Sequence, residues 1–118
     1  MKKITIYHNP RCSKSREVLF HLEEEGYECQ VIRYLETPFT KKTLQEVLKK
    51  INLLPSQLVR KGEADWKSIS NKTTITEDEI LTLLVNYPKV IERPIVTIAS
   101  SGALARPFEN LVLFLKEN

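Results

Sequence analysis

Apolar and polar residues alternate in "KKITIY". Ile4 and Ile6 point one way and Thr5 and Tyr7 the other, the period of a half-buried strand, and Pro10 ends it. The spacing changes in "SKSREVLFHLEEEG". There Val18, Leu19 and Leu22 form a helical stripe, and Gly26 stands at the C′ position. "ECQVIRYL" returns to a strand pattern, broken by Thr37-Pro38. Two strands joined through one helix are predicted to run parallel. Thr40 then caps "KKTLQEVLKKI", with Leu44, Val47, Leu48 and Ile51 on one face. "LPSQLV" predicts a further short helical turn, and the polar, weakly patterned "RKGEADWKSISNKT" an irregular surface segment. Thr76 and Glu79 make a T-x-x-E capping box ahead of "ILTLLVNY", which Pro88 ends. In the last third "RPIVTIA" predicts a strand, "SSG" a hairpin turn and "ALAR" the partner strand. Pro107 is predicted at the first position of a final helix, "FENLVLFLKEN".

The order is β-α-β, a helical insert over about residues 40–90, then β-β-α. It predicts an α/β fold: a mixed four-stranded sheet flanked by helices, in a single domain spanning 1–118. A chain of 118 residues, 42% hydrophobic, can bury one core without disulfides or structural metal. The net charge of +3 is modest, and acidic runs such as "HLEEEG" and "TEDEI" are mixed with the basic residues. That argues against a nucleic-acid binder and suits a small anionic substrate. The opening "ITIY" is too short for a secretory signal, and no run approaches the ~20 apolar residues of a membrane span. The expectation is a soluble cytoplasmic protein. Only two cysteines occur, Cys12 and Cys29, too few for a disulfide scaffold.

Cys12 carries the chemistry. If a helix begins near Ser13, the sulfur meets unpaired backbone N–H groups and the positive end of the helix dipole. Both favour thiolate over thiol, and the same N–H groups can cradle an oxyanion. His8, Arg11, Lys14 and Arg16 lie nearby in sequence and would add positive charge. The alternative is a half-buried spectator. Cys29, inside a strand pattern, reads as an ordinary small residue. Cys12 to Ser15 is C-x-x-S, so there is no local dithiol. A C-x5-R phosphatase loop would need arginine where Val18 stands. Cys12 and His8 alone do not make a zinc site. Arg60, Arg93 and Arg106 each read singly as a solvated surface charge, although a planar guanidinium matches tetrahedral oxyanions. Arg93-Pro94 is a candidate cis bond at the start of a strand, which would stand Arg93 beside the first strand, close to Cys12.

"ITIYHNPRCSKSRE", "YLETP", "LVRKGE", "ERPIV" and "ARPFE", in this order, resemble the glutaredoxin-coupled arsenate reductase family over nearly the whole chain. The resemblance implies a thioredoxin-like fold with a helical insert. It implies Cys12 as the nucleophile toward arsenate, and Arg60, Arg93 and Arg106 as its anion-binding residues. It puts His8 beside the thiol as a tuning residue, Ser15 within hydrogen-bond reach of the sulfur, and Pro94 as the cis-proline. Glutathione would be the co-substrate and glutaredoxin the partner that resolves the mixed disulfide, with no bound cofactor or metal. The best-known members carry Gly-Thr after the cysteine, where this chain has Ser13-Lys14, so "CSKSR" marks a related branch. The same resemblance extends to a regulator that binds RNA polymerase and often carries a C-x-x-C switch, a second reading. A thiol oxidoreductase acting on glutathionylated proteins is a third.

Overall fold

The computed structural model describes residues 2–69 and 74–118. Its four strands are β1 (Lys3–His8), β2 (Glu28–Arg33), β3 (Ile95–Ile98) and β4 (Ser101–Leu104). They form one sheet in the order β2-β1-β3-β4. β1 runs parallel to β2 and antiparallel to β3, and β3 runs antiparallel to β4. The parallel pair is bridged by helix α1 (Ser13–Glu24), as a crossover requires. α1 ends as its sequence predicts, with Gly26 at φ 85°.

The two faces of the sheet bury different sets. Alternation along β1 sends Ile4 and Ile6 toward α1 and the final helix α5 (Phe108–Glu117), where they pack with Val18, Leu22, Val96, Leu111 and Phe114. Tyr7 and Ile95, paired across β1 and β3, face the helical insert instead. That insert contains α2 (Lys41–Ile51), a 3₁₀ turn Pro55–Leu58, α3 (Ala64–Lys67), α4 (Glu77–Asn86) and a second 3₁₀ turn Pro88–Val90. Its core is Leu44, Val47, Leu48, Ile51, Leu58, Ile80, Leu81 and Leu84 against Ile95 and Tyr34. Each such fully buried side chain contributes about 1.5–3 kcal/mol of transfer free energy. Reciprocal caps start α2 and α4: Thr40 with Thr43, and Thr76 with Glu79.

Three expectations need correction. The segment 60–73 is not irregular throughout: α3 forms inside it because Trp66 is buried in the insert core, while 70–73 lie outside the described residues. The hairpin turns at Ala99-Ser100, with Ala99 at φ 53°, and "SSG" is not its turn. Ser101 and Gly102 belong to β4, opposite Ile98 and Thr97. A Cβ on Gly102 would lie 2.9 Å from both the Val96 carbonyl oxygen and Ile51 Cγ2, so this glycine serves close packing of α2 on the sheet. Pro107 is the N-cap of α5 and not its first helical residue.

Candidate active site

β1 ends at His8, and a tight turn carries the chain into α1. Asn9 shapes that turn: its Oδ1 accepts from the Arg11 N–H (3.0 Å) and its carbonyl from the Cys12 N–H (3.0 Å). Arg16 closes the turn by donating from Nη1 to the Pro10 carbonyl (2.9 Å). Cys12 is the N-cap of α1, in an extended conformation (φ −94°, ψ 121°). It makes no capping hydrogen bond of strict geometry, but the first-turn N–H groups of Ser15 and Lys14 are near enough to stabilise its anion. Partial burial pushes the thiol up. The Ser15 N–H, a hydrogen bond from the Arg93 guanidinium, the Lys14 N–H and the Arg93 charge together outweigh it, so Cys12 sits below the ordinary thiol value of 9.0. Cys29 contrasts: burial and nearby Glu23 raise it.

The charge beside the sulfur comes from a distant part of the chain. Arg93 is 7% exposed and donates from Nη1 to the Lys89 (3.0 Å) and Ile91 (3.3 Å) carbonyls. Its Nε is buried with no hydrogen-bond partner among the described residues. Arg60 Nη1 and Arg106 Nη1 share that condition. Arg60 makes a loose contact from Nε to Glu63 at 3.9 Å, while its backbone N–H is held by the Val90 carbonyl at 2.6 Å. The β3–β4 register pairs Ile95 with Leu104, and the Ala105 N–H donates to the Pro94 carbonyl (2.9 Å). Extending that register sets Arg106 across from Arg93. Both arginines precede cis prolines, Pro94 and Pro107. Three buried guanidinium N–H groups without acceptors are unusual, since buried donors are nearly always paired. Such a set is suited to an anion with several oxygens.

The sequence-predicted residues divide as follows. Cys12 and Arg93 are in contact, and Arg60 lies near enough to share their electrostatic surroundings through Tyr34. His8 (4% exposed) is turned toward Ser15, its Nδ1 2.6 Å from Ser15 Oγ. The same oxygen accepts from the Asn9 N–H at 3.1 Å. Ser15 therefore faces the sulfur with its backbone N–H, while its fully buried hydroxyl ties α1 to the end of β1. His8 adds no positive charge: burial first, then Arg33 and Arg16, hold its pKa below 6.5, so the ring is neutral at pH 7. Lys14 directs its ammonium to Glu17 (3.9 Å) on the exposed side of α1. Cys29 pairs with Ile4, four positions before His8 in β1, so ~13 Å of strand separates it from the Cys12 end of the sheet. The two thiols are too far apart to bond to each other.

Tyr34 escaped the sequence reading although it opens the "YLETP" stretch. It is 1% exposed, and its hydroxyl is buried with no hydrogen-bond partner of normal geometry. Burial pushes its pKa up to about 12, with Arg93, Cys12 and Arg60 all near enough to influence it. A depression of about 580 Å³ lined by Leu48, Leu53 and Leu81 lies in the insert and includes none of these groups. Among the described residues no helix is long and apolar enough to cross a membrane.

Residues 7–111 match the model of the ArsC family, a span that holds every residue of this site. The chain is 39% identical over 113 residues to the uncharacterised protein YfgD of Escherichia coli, covering 94% of this chain and 95% of that one. It is 35% identical over 113 residues to an arsenate reductase of Neisseria meningitidis, covering 94% and 97%. Its fold superposes on the solved arsenate reductase of Vibrio cholerae with a TM-score of 0.88 at 34% identity, covering 95% of this chain and 97% of that one. The chain belongs to the ArsC family, the arsenate reductases of thioredoxin-like fold.

Proposed function

We propose that the chain reduces arsenate to arsenite in the cytoplasm, with the Cys12 thiolate as nucleophile, glutathione as co-substrate and glutaredoxin as partner. One observation carries the reading: a thiol with a lowered pKa stands at a helix N-terminus beside buried guanidinium donors that none of the described residues satisfies. The names of the related reductases support arsenate as the anion. Arg93 has the double role of holding the thiolate and offering donors to the incoming oxyanion. Arg60 and Arg106 supply further donors.

The steps balance without a bound cofactor. The Cys12 thiolate attacks arsenic of the arsenate monoanion, an S–As bond forms, and an oxygen leaves as water after taking up a proton. Arsenic remains pentavalent. The glutathione thiolate then attacks the Cys12 sulfur. An S–S bond forms and the S–As electron pair leaves with arsenic, which departs as arsenite while two thiol sulfurs are oxidised to one disulfide. A glutaredoxin thiol takes the glutathione in exchange and regenerates Cys12. The need for outside thiols follows from the chain itself: Ser15 replaces a local second cysteine, and Cys29 sits at the other end of the strands. The same C-x-x-S disfavours the redox-switch regulator.

The test is arsenate-dependent NADPH oxidation coupled through glutathione reductase, with glutathione and glutaredoxin present. Turnover should require arsenate and glutaredoxin and vanish in Cys12→Ser. Turnover that persists in Cys12→Ser would remove the thiol from the reaction, and turnover without glutaredoxin would remove the partner.

A further inference from the structure

Tyr34 follows directly after β2, and its ring is fixed on the insert face of the sheet. It stacks on Phe39 (centroids 6.1 Å apart, 29° between planes), which in turn packs on Tyr7 at 5.1 Å. A ring held this way cannot swing its hydroxyl to water. A buried tyrosine hydroxyl normally finds a partner, because an unmade bond costs the full desolvation penalty. Among the described residues this one has no partner of normal geometry: the Arg93 guanidinium makes only a weak approach to it, and Cys12 and Arg60 act on it by charge alone. Its isolation is shared by Arg60 Nη1, Arg93 Nε and Arg106 Nη1.

We propose that the Tyr34 hydroxyl is a fourth donor of the anion site and hydrogen-bonds an oxygen of the tetrahedral oxyanion held between Cys12 and the arginines. The inference rests on the reductase reading. A neutral donor suits this place. The arginines already supply the positive charge, and a further cation buried among them would be repelled. A phenol pushed up to about 12 by its burial stays protonated throughout the working range, so it donates without adding charge. A tetrahedral oxyanion presents four oxygens, one more than the three unpartnered arginine donors.

The test measures protection of Cys12 from iodoacetamide by arsenate, in the parent and in Tyr34→Phe, which keeps the ring and removes only the oxygen. The arsenate concentration for half-protection should rise about tenfold or more in the variant, the loss of one hydrogen bond to a charged group. The pH midpoint of Cys12 alkylation without arsenate should stay where it is. The unliganded variant should unfold no more easily than the parent, since the oxygen it lacks makes no hydrogen bond of normal geometry there, whereas added arsenate should stabilise the parent more. Equal half-protection would overturn the assignment of Tyr34 and leave the reductase reading standing. So would a variant whose thiol titration or unliganded stability changed instead, because the hydroxyl would then serve the thiol or the fold. A parent that arsenate does not protect would overturn the anion site itself, and Tyr34 with it.

Discussion

Replacing Arg93 by methionine keeps an apolar stem of similar reach and removes the guanidinium. Three things are lost. The first is the hydrogen bond and charge that favour the Cys12 thiolate. The second is the pair of bonds from Nη1 to the Lys89 and Ile91 carbonyls, which pin the entry to β3. The third is the buried Nε donor that meets no acceptor among the described residues. A hydrogen bond to a charged group is worth about 1.5–3 kcal/mol, and 1.4 kcal/mol is a factor of ten. If one such bond to the oxyanion is made in the transition state, kcat/KM for arsenate should fall about 10- to 100-fold. The thiol adds to this. With Arg93 gone, burial is opposed only by the first-turn N–H groups, so the alkylation midpoint should move upward and less thiolate should be present at pH 7. Stability should change less than activity, because removing a buried charge relieves desolvation while it orphans two carbonyls. Arg93→Lys should restore the midpoint better than the arsenate kinetics, since an ammonium keeps the charge but not the planar fork. The assay is alkylation rate against pH alongside steady-state arsenate kinetics. A variant with the parent's midpoint and the parent's kcat/KM would refute the reasoning.

Ser15→Ala should destabilise the fold by roughly 2 kcal/mol or more, read from the denaturant midpoint, because it strands the buried Asn9 N–H and His8 Nδ1 together. An unchanged midpoint would mean that this hydroxyl does not tie α1 to β1. Cys12 also links pH to stability. Its folded-state pKa is below the ordinary 9.0, so the unfolded chain binds the thiol proton more tightly. Relative to Cys12→Ser, the parent should gain stability as pH rises from the folded pKa toward 9.0, hold it above that, and lose it as pH falls through the folded pKa. A Tm difference that shrinks as pH rises would contradict the direction assigned to the thiol.

The elements with strong periodicity and caps were legible in the chain. Thr40 and Thr76 start their helices where the pattern puts them, and the two strands around α1 pair in parallel. The hairpin was displaced because Gly102 looks like a turn residue, whereas it is needed for close approach to Ile51 and the Val96 carbonyl. α3 was hidden because a four-residue helix shows no period, and only the burial of Trp66 reveals it. At the site, Cys12 could be placed at a helix N-terminus from sequence, and Arg93, before a proline that opens a strand beside the first one, could be placed close to it. Proximity in sequence pointed to His8, Arg11, Lys14 and Arg16. The cation on the sulfur is Arg93, brought there by the antiparallel pairing of β3 with β1. His8 is buried and neutral, and Lys14 faces Glu17. Tyr34 is invisible to such reasoning because a tyrosine at a strand end is ordinary, and only the fold leaves its hydroxyl without a partner of normal geometry among the described residues.

The central claim is that arsenic passes through the Cys12 sulfur. A single turnover tests it most directly: protein, arsenate and glutathione are mixed without glutaredoxin, arsenite is quantified, and the protein is mapped by mass spectrometry. The account predicts one equivalent of arsenite and a glutathione mixed disulfide on Cys12, with Cys29 still a free thiol. Arsenite released with Cys12 unmodified, or a disulfide that forms on Cys29, would contradict it.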